Sequence, residues 1–112
     1  MANDQNNEFE PRRLILDEKL RSILGNNNTY FQPPESVRLN YPCIVYSLTG
    51  ENVKHADNLA YYFGRRFDVT HIHRDPDVDI MHAIREGLPF CRFDRRFISE
   101  GLYHDVYTIY YK

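Results

Sequence analysis

Arg66-Phe67-Asp68-Val69-Thr70-His71-Ile72-His73-Arg74-Asp75-Pro76-Asp77 is the stretch from which the rest of the chain can be read. Phe67, Val69 and His71 alternate with Asp68 and Thr70, and Ile72 falls on the second face. That near period of two predicts a strand buried mainly on one side. Asp75 then stands where a helix N-cap belongs, and Pro76 at the first helical position. The strand is therefore expected to run straight into a helix from about Pro76 to Glu86. Ile80, Ile84 and Leu88, four apart with Met81 beside them, give that helix one apolar stripe. Gly87 and Pro89 are placed to stop it.

Upstream, Pro11 opens a first helix. Its Leu16, Leu20, Ile23 and Leu24 repeat at i, i+4, i+7 and i+8, and Gly25 ends it. Asn26 to Asn40 is a long connection, with Asn26-Asn27-Asn28 tolerant of left-handed backbone and Pro33-Pro34 extended. Tyr30 and Phe31 inside it are expected to pin the loop to the core or meet a partner. Tyr41 to Leu48 is a short inner strand, apolar on both faces around Cys43-Ile44-Val45-Tyr46. Thr49-Gly50-Glu51-Asn52 turns the chain. Leu59 to His73 is the second strand, with Gly64 marking a bulge or bend.

Phe90 to Ile98 and Leu102 to Tyr111 form a hairpin through Ser99-Glu100-Gly101. Strict alternation puts Cys91, Phe93, Arg95 and Phe97 on one face, and Arg92, Asp94 and Arg96 on the other. The last strand, apolar or aromatic on both faces at Tyr107-Thr108-Ile109-Tyr110-Tyr111, belongs in the centre of a sheet or at an edge paired with another chain. The fold class is a small α+β domain: a mixed, mostly antiparallel four-stranded sheet with two helices packed on it. Residues 1–11 are polar and expected to be flexible, and 12–112 form a single domain.

The sequence has 112 residues and a net charge of −2, a balance that favours neither bulk nucleic-acid binding nor an acidic tail. No apolar run approaches the roughly 20 residues a membrane helix needs, and residues 1–10 lack the apolar core of a signal peptide. Cys43 and Cys91 lie in strand-like runs and read as reduced, buried thiols. Eleven of the fourteen basic residues are Arg, and Tyr and Phe total sixteen. That choice of side chains is the one protein interfaces favour.

Several constellations were weighed for chemistry. His71 and His73, followed by Asp75, Asp77 and Asp79, have the makings of a metal site. A strand face also carries His as an ordinary polar residue, and helix capping accounts for the acids, so no metal is expected. His104 and Asp105 are neighbours on a strand, point to opposite faces and cannot form a dyad with each other. The three pairs Arg12-Arg13, Arg65-Arg66 and Arg95-Arg96 split between faces, and the glycines make no phosphate loop. No catalytic residue, cofactor or metal ligand is assigned.

Five short strings occur in order: Tyr30-Phe31-Gln32-Pro33-Pro34-Glu35-Ser36, Tyr41-Pro42-Cys43-Ile44-Val45-Tyr46, Arg74-Asp75-Pro76-Asp77, Phe93-Asp94-Arg95 and His104-Asp105-Val106-Tyr107-Thr108. Together they resemble a family of small tailed-bacteriophage proteins. These are the tail completion, tail terminator or minor capsid proteins encoded among the head–tail joining genes. The resemblance covers about residues 12–111 and departs from the family pattern at Val78 and Tyr103. It implies a non-enzymatic virion protein, made in the host cytoplasm and placed at the neck or tail. Its subunits would form a homo-oligomeric ring, typically a hexamer, against the tail tube protein and the head–tail connector. DNA would pass through the lumen without specific binding, and no membrane is involved. Alternatives are a connector (stopper or adaptor), a minor capsid component, or a small host accessory protein. A ring needs two different patches on each subunit. The candidates are the Thr49–Leu59 loop with Tyr61, Tyr62, Arg65 and Arg66 on one side, and Tyr30 and Phe31 with an outward Arg92 and Arg96 on the other. On that reading, replacing Arg66 and Arg96 together by Ala leaves the stability of the free subunit nearly unchanged.

Overall fold

The structure, a computed structural model, describes residues 12–56, 59–78, 80–88 and 90–111, and for 52–56 and 59–63 it describes the backbone only. The order of elements is α1 (Arg12–Leu24), β1 (Thr29–Phe31), β2 (Cys43–Ala56), β3 (Leu59–His73), α2 (Met81–Gly87), β4 (Cys91–Ser99) and β5 (Leu102–Tyr111). The strands form one sheet in the order β1-β2-β3-β5-β4. β1 runs parallel to β2, and every other pairing is antiparallel. The expected α+β class with two helices is therefore present, but the sheet has five strands rather than four. The extra one is β1, three residues long and too short to show a period. Among the described residues no helix is long and apolar enough to cross a membrane.

One face of the sheet lies under both helices. Leu16 and Leu20 of α1 and Ile84 of α2 meet Ile44, Tyr46, Phe67, Val69, Tyr107 and Ile109 there, with Leu88 just past α2. Tyr46 ties α1 to the sheet. Its ring packs against Phe31 and Phe67, with centroids 5.0 and 6.1 Å away, and its hydroxyl donates to Asp17 Oδ2 at 2.6 Å. Cys43, Ile72 and Leu102 form a smaller core on the opposite face, closed by Tyr30, Leu39, Tyr41 and Val45. β2 is thus an inner strand covered on both sides, as its composition predicted.

The asparagines after α1 act through their side chains. Asn26 Oδ1 accepts from Asn28 N, and the amides of Asn26 and Asn28 both reach Pro42 O. Gly25 carries the left-handed turn, at φ 87°, with its N–H on Arg21 O.

The chain does not turn at residues 49–52. β2 continues to Ala56, and the ladder absorbs one bulge between Leu48 and Gly50 and another between Asn52 and Val53. The second falls beside Gly64, at φ 135°, where a bulge was expected. Beyond the sheet, residues 52–56 and 59–64 pair only with each other, as a two-stranded ribbon.

Two helix boundaries also differ from expectation. Asp75 does not cap α2. Its Oδ1 accepts from Asp77 N at 3.0 Å and its carbonyl from Val78 N at 3.2 Å, so Asp75-Pro76-Asp77-Val78 is a closed turn. The helix begins only at Met81, after Ile80, and Gly87 is its last residue rather than the one past its end.

Candidate functional site

The polar residues that fold into the interior lie at one end of the helix-covered face. Ile44 of β2, His71 of β3, Asp105 of β5 and Arg96 of β4 form one row across four strands, each paired with the next. His73 lies one step further along β3 on the same face. Period two accounts for both histidines. It does not account for Arg96. After Phe93, strict alternation would put Arg95 and Phe97 on this face. A bulge at Asp94, between Phe93 and Arg95, shifts the strand by one residue and brings Arg96 in instead. Asp94 is held at that bulge by Thr108, whose hydroxyl donates to Oδ2 at 2.6 Å, and by Arg92 Nε on Oδ1 at 3.0 Å.

Asp105 is 1% exposed and is gripped from two sides. Arg96 donates through Nε to Oδ1 and through a terminal nitrogen to Oδ2 at 2.9 Å. His73 Nε2 meets Oδ2 at 2.8 Å. Burial pushes the Asp105 carboxyl upward, but the hydrogen bonds from Arg96 and His73 and the Arg96 charge outweigh it, and the net shift is downward. An ionised carboxylate only accepts, so His73 Nε2 carries the proton. Arg96 also reaches Pro76 O at 2.9 Å and Val78 O at 3.2 Å, which ties the β3–α2 turn to the sheet.

His71 stacks on His73 with centroids 4.4 Å apart, and His73 stacks in turn on Tyr103 at 5.7 Å. Burial, then the neighbouring His73, lower the His71 pKa to about 4, so the ring is neutral at pH 7. The Nδ1 atoms of both histidines are buried and have no hydrogen-bond partner among the described residues. Both rings line an open cleft of about 560 Å³ between the end of α1, the Tyr41-Pro42 segment and the turn 74–78. Among the described residues, His71, His73 and Asp105 are the set able to hold a metal ion, with donor atoms all within 4.8 Å of one another. A buried His–Asp pair also resembles part of a hydrolytic triad. Among the described residues, no Ser, Thr or Cys lines this cleft to act as nucleophile.

His104 points away from Asp105, as strand geometry requires, and stacks on Phe97 at 4.6 Å on the opposite face. The partner of Asp105 is His73, 32 residues earlier. Sequence reading found both histidines and the aspartate but could not join them, because the join is a strand pairing.

The structure divides the expected interface residues. Tyr30 and Phe31 are half-buried in the subunit's own cores, and Arg13 lies 4.5 Å over the Phe31 ring. They sit on β1, at the opposite edge of the sheet from Arg92 and Arg96 on β4, so those four do not share a patch. Arg96 is exposed, but its guanidinium is committed to a buried carboxylate rather than free for a partner. Arg66 bridges the first bulge, donating to Thr49 Oγ1 at 2.9 Å and to Thr49 O at 3.1 Å. Arg65 and Arg92 are exposed. The side chains of Tyr61 and Tyr62 lie outside the described residues. Cys43 and Cys91 are free thiols, one in the smaller core and one beside the main core, on opposite faces.

Compared with known proteins, the chain matches no family model, no curated protein and no solved structure.

Proposed function

We propose that this chain is a non-enzymatic subunit of a homo-oligomeric ring at the neck of a tailed bacteriophage, closing the tail and joining it to the head connector. The observation that carries the reading is the pair of open sheet edges. Among the described residues β1 and β4 are each paired on one side only, and they lie at opposite ends of the sheet. An open edge offers a row of unpaired N–H and C=O groups to another strand. Two different edges on one subunit suit head-to-tail contacts, the kind that close into rings. β4 is exposed almost throughout and offers Phe93, Phe97 and Ile98 among its arginines, with Phe90 just before it. Exposed aromatic and aliphatic side chains among arginines are the composition of a contact surface. The ordered strings resembling phage tail completion and terminator proteins give that contact its setting. The tail tube and connector proteins are the partners the reading implies, with DNA in the lumen.

Ile98, 65% exposed on β4, is the residue to test. Ile98→Asp is expected to leave the free subunit folded and to yield unjoined heads and tails by electron microscopy when it replaces the wild-type gene in the phage. Normal particles with Ile98→Asp would remove β4 as the contact. Finished tails and joined particles that lack this chain altogether would defeat the reading itself.

A further inference from the structure

We propose that His71 and His73 are the ligands of a divalent transition-metal site, with Zn²⁺ the best fit, bound through their Nδ1 atoms while Asp105 holds His73 from behind. Two buried nitrogens without a hydrogen-bond partner are the first ground. Each residue is 2% exposed, and each Nδ1 is unpartnered among the described residues. A buried polar atom left unpaired is costly and calls for a partner that the protein itself does not supply. The second ground is access. Both rings line the open cleft, which gives an ion a route toward them and room for water at its remaining coordination positions once it displaces the groups that now cover each Nδ1.

The third ground is the carboxylate. Asp105 Oδ2 accepts from His73 Nε2, which fixes the ring's tautomer and leaves Nδ1 as the lone-pair nitrogen. Metal-binding histidines characteristically have a carboxylate behind the far nitrogen in this way. Two neutral imidazoles suit Zn²⁺, Cu²⁺ or Ni²⁺ rather than Ca²⁺ or Mg²⁺, which need several oxygen donors. Arg96 already pairs with Asp105, so that carboxylate adds little net charge to attract a hard cation.

The test uses tag-free full-length protein. Zn²⁺ is measured by elemental analysis after dialysis, and Co²⁺ serves as the spectroscopic probe. Wild type is expected to retain one Zn²⁺ per chain and to show visible ligand-field bands with Co²⁺. His73→Gln keeps an N–H for Asp105 but removes the ring Nδ1; it should fold normally by circular dichroism and lose metal at least about tenfold. His71→Val provides a second variant with the same expected loss. His104→Ala, on the opposite face, and His82→Ala, on the exposed side of α2, should keep full occupancy. Wild type that holds no Zn²⁺ and gives no Co²⁺ bands overturns the proposal. So does a folded His73→Gln or His71→Val that binds as wild type does.

Discussion

Arg96 shows how much one side chain carries here. It neutralises Asp105 and accounts for most of the tie between the sheet and the turn at Pro76 and Val78. Removing it strands a buried carboxylate. Breaking a buried pair by deleting one partner costs about 3–5 kcal/mol. Arg96 keeps 33% of its side chain exposed, so the lower part of that range applies. Arg96→Ala is therefore expected to lower the urea midpoint of the isolated subunit markedly, which Arg66→Ala, acting at an exposed bulge, should not do. The near-neutral double substitution expected from sequence does not hold, because alternation alone put Arg96 on the wrong face. Cys43 makes a second prediction at this scale. Burial raises its thiol to about 11 from an ordinary 9.0. The folded pKa is the higher one, so the shift contributes stability below pH 9 that is lost as pH rises through about 11. At pH 8 the native thiolate fraction is about a hundredfold below that of the unfolded chain. Alkylation by iodoacetamide at pH 8 should leave Cys43 unmodified in native protein and label it rapidly in urea; rapid native labelling would contradict its burial.

At the level of elements, the bulges decide more than the strands do. Period two was legible along β3, and Phe67, Val69, His71 and Ile72 all lie on the faces it assigned. The apolar stripes of both helices were legible too, since Leu16, Leu20, Ile84 and Leu88 are all buried. The bulge at Gly64 carried a signal, because glycine relaxes the backbone there. The bulge at Asp94 carried none, because an aspartate between Phe93 and Arg95 looks like an ordinary outward residue. Yet it sets the face of everything after it on β4. Deleting Asp94 removes the extra residue, so Arg95 stays opposite Val106 and Arg96 opposite Asp105, and strict alternation from Phe93 then gives the same faces without a bulge. The expected result is a deletion variant that keeps the Arg96–Asp105 pair and melts close to Asp94→Ala, since both lose the side-chain bonds to Thr108 and Arg92. A much lower melting temperature for the deletion than for the alanine variant would mean that the extra backbone unit at Asp94 is itself needed for β4 to fit the sheet. The start of α2 was misplaced for a related reason: Asp75-Pro76 signals both a helix start and a turn, and here the turn wins.

Across the whole molecule, the class of fold was readable but the order of the sheet was not. Nothing local in Thr29-Tyr30-Phe31 announces a strand, since its partner is Ile44-Val45-Tyr46, some fifteen residues further on. For the same reason Tyr30 and Arg96 could be imagined side by side, when β2, β3 and β5 lie between their strands. Among the candidate site residues, identity was visible and adjacency was not. His71 and His73 follow from one strand, whereas Asp105 and Arg96 join them through two pairings and a bulge. The position of β5 has a consequence in time as well as in space. Of the seven elements among the described residues it is the last to be synthesised, yet it lies between β3 and β4. While a ribosome still holds residues 102–111, β3 has a bare edge, both halves of the main core lack Tyr107 and Ile109, and Arg96 has no carboxylate to meet. The nascent chain therefore cannot settle segment by segment, and its sheet closes in one late step when β5 slides into the gap kept for it.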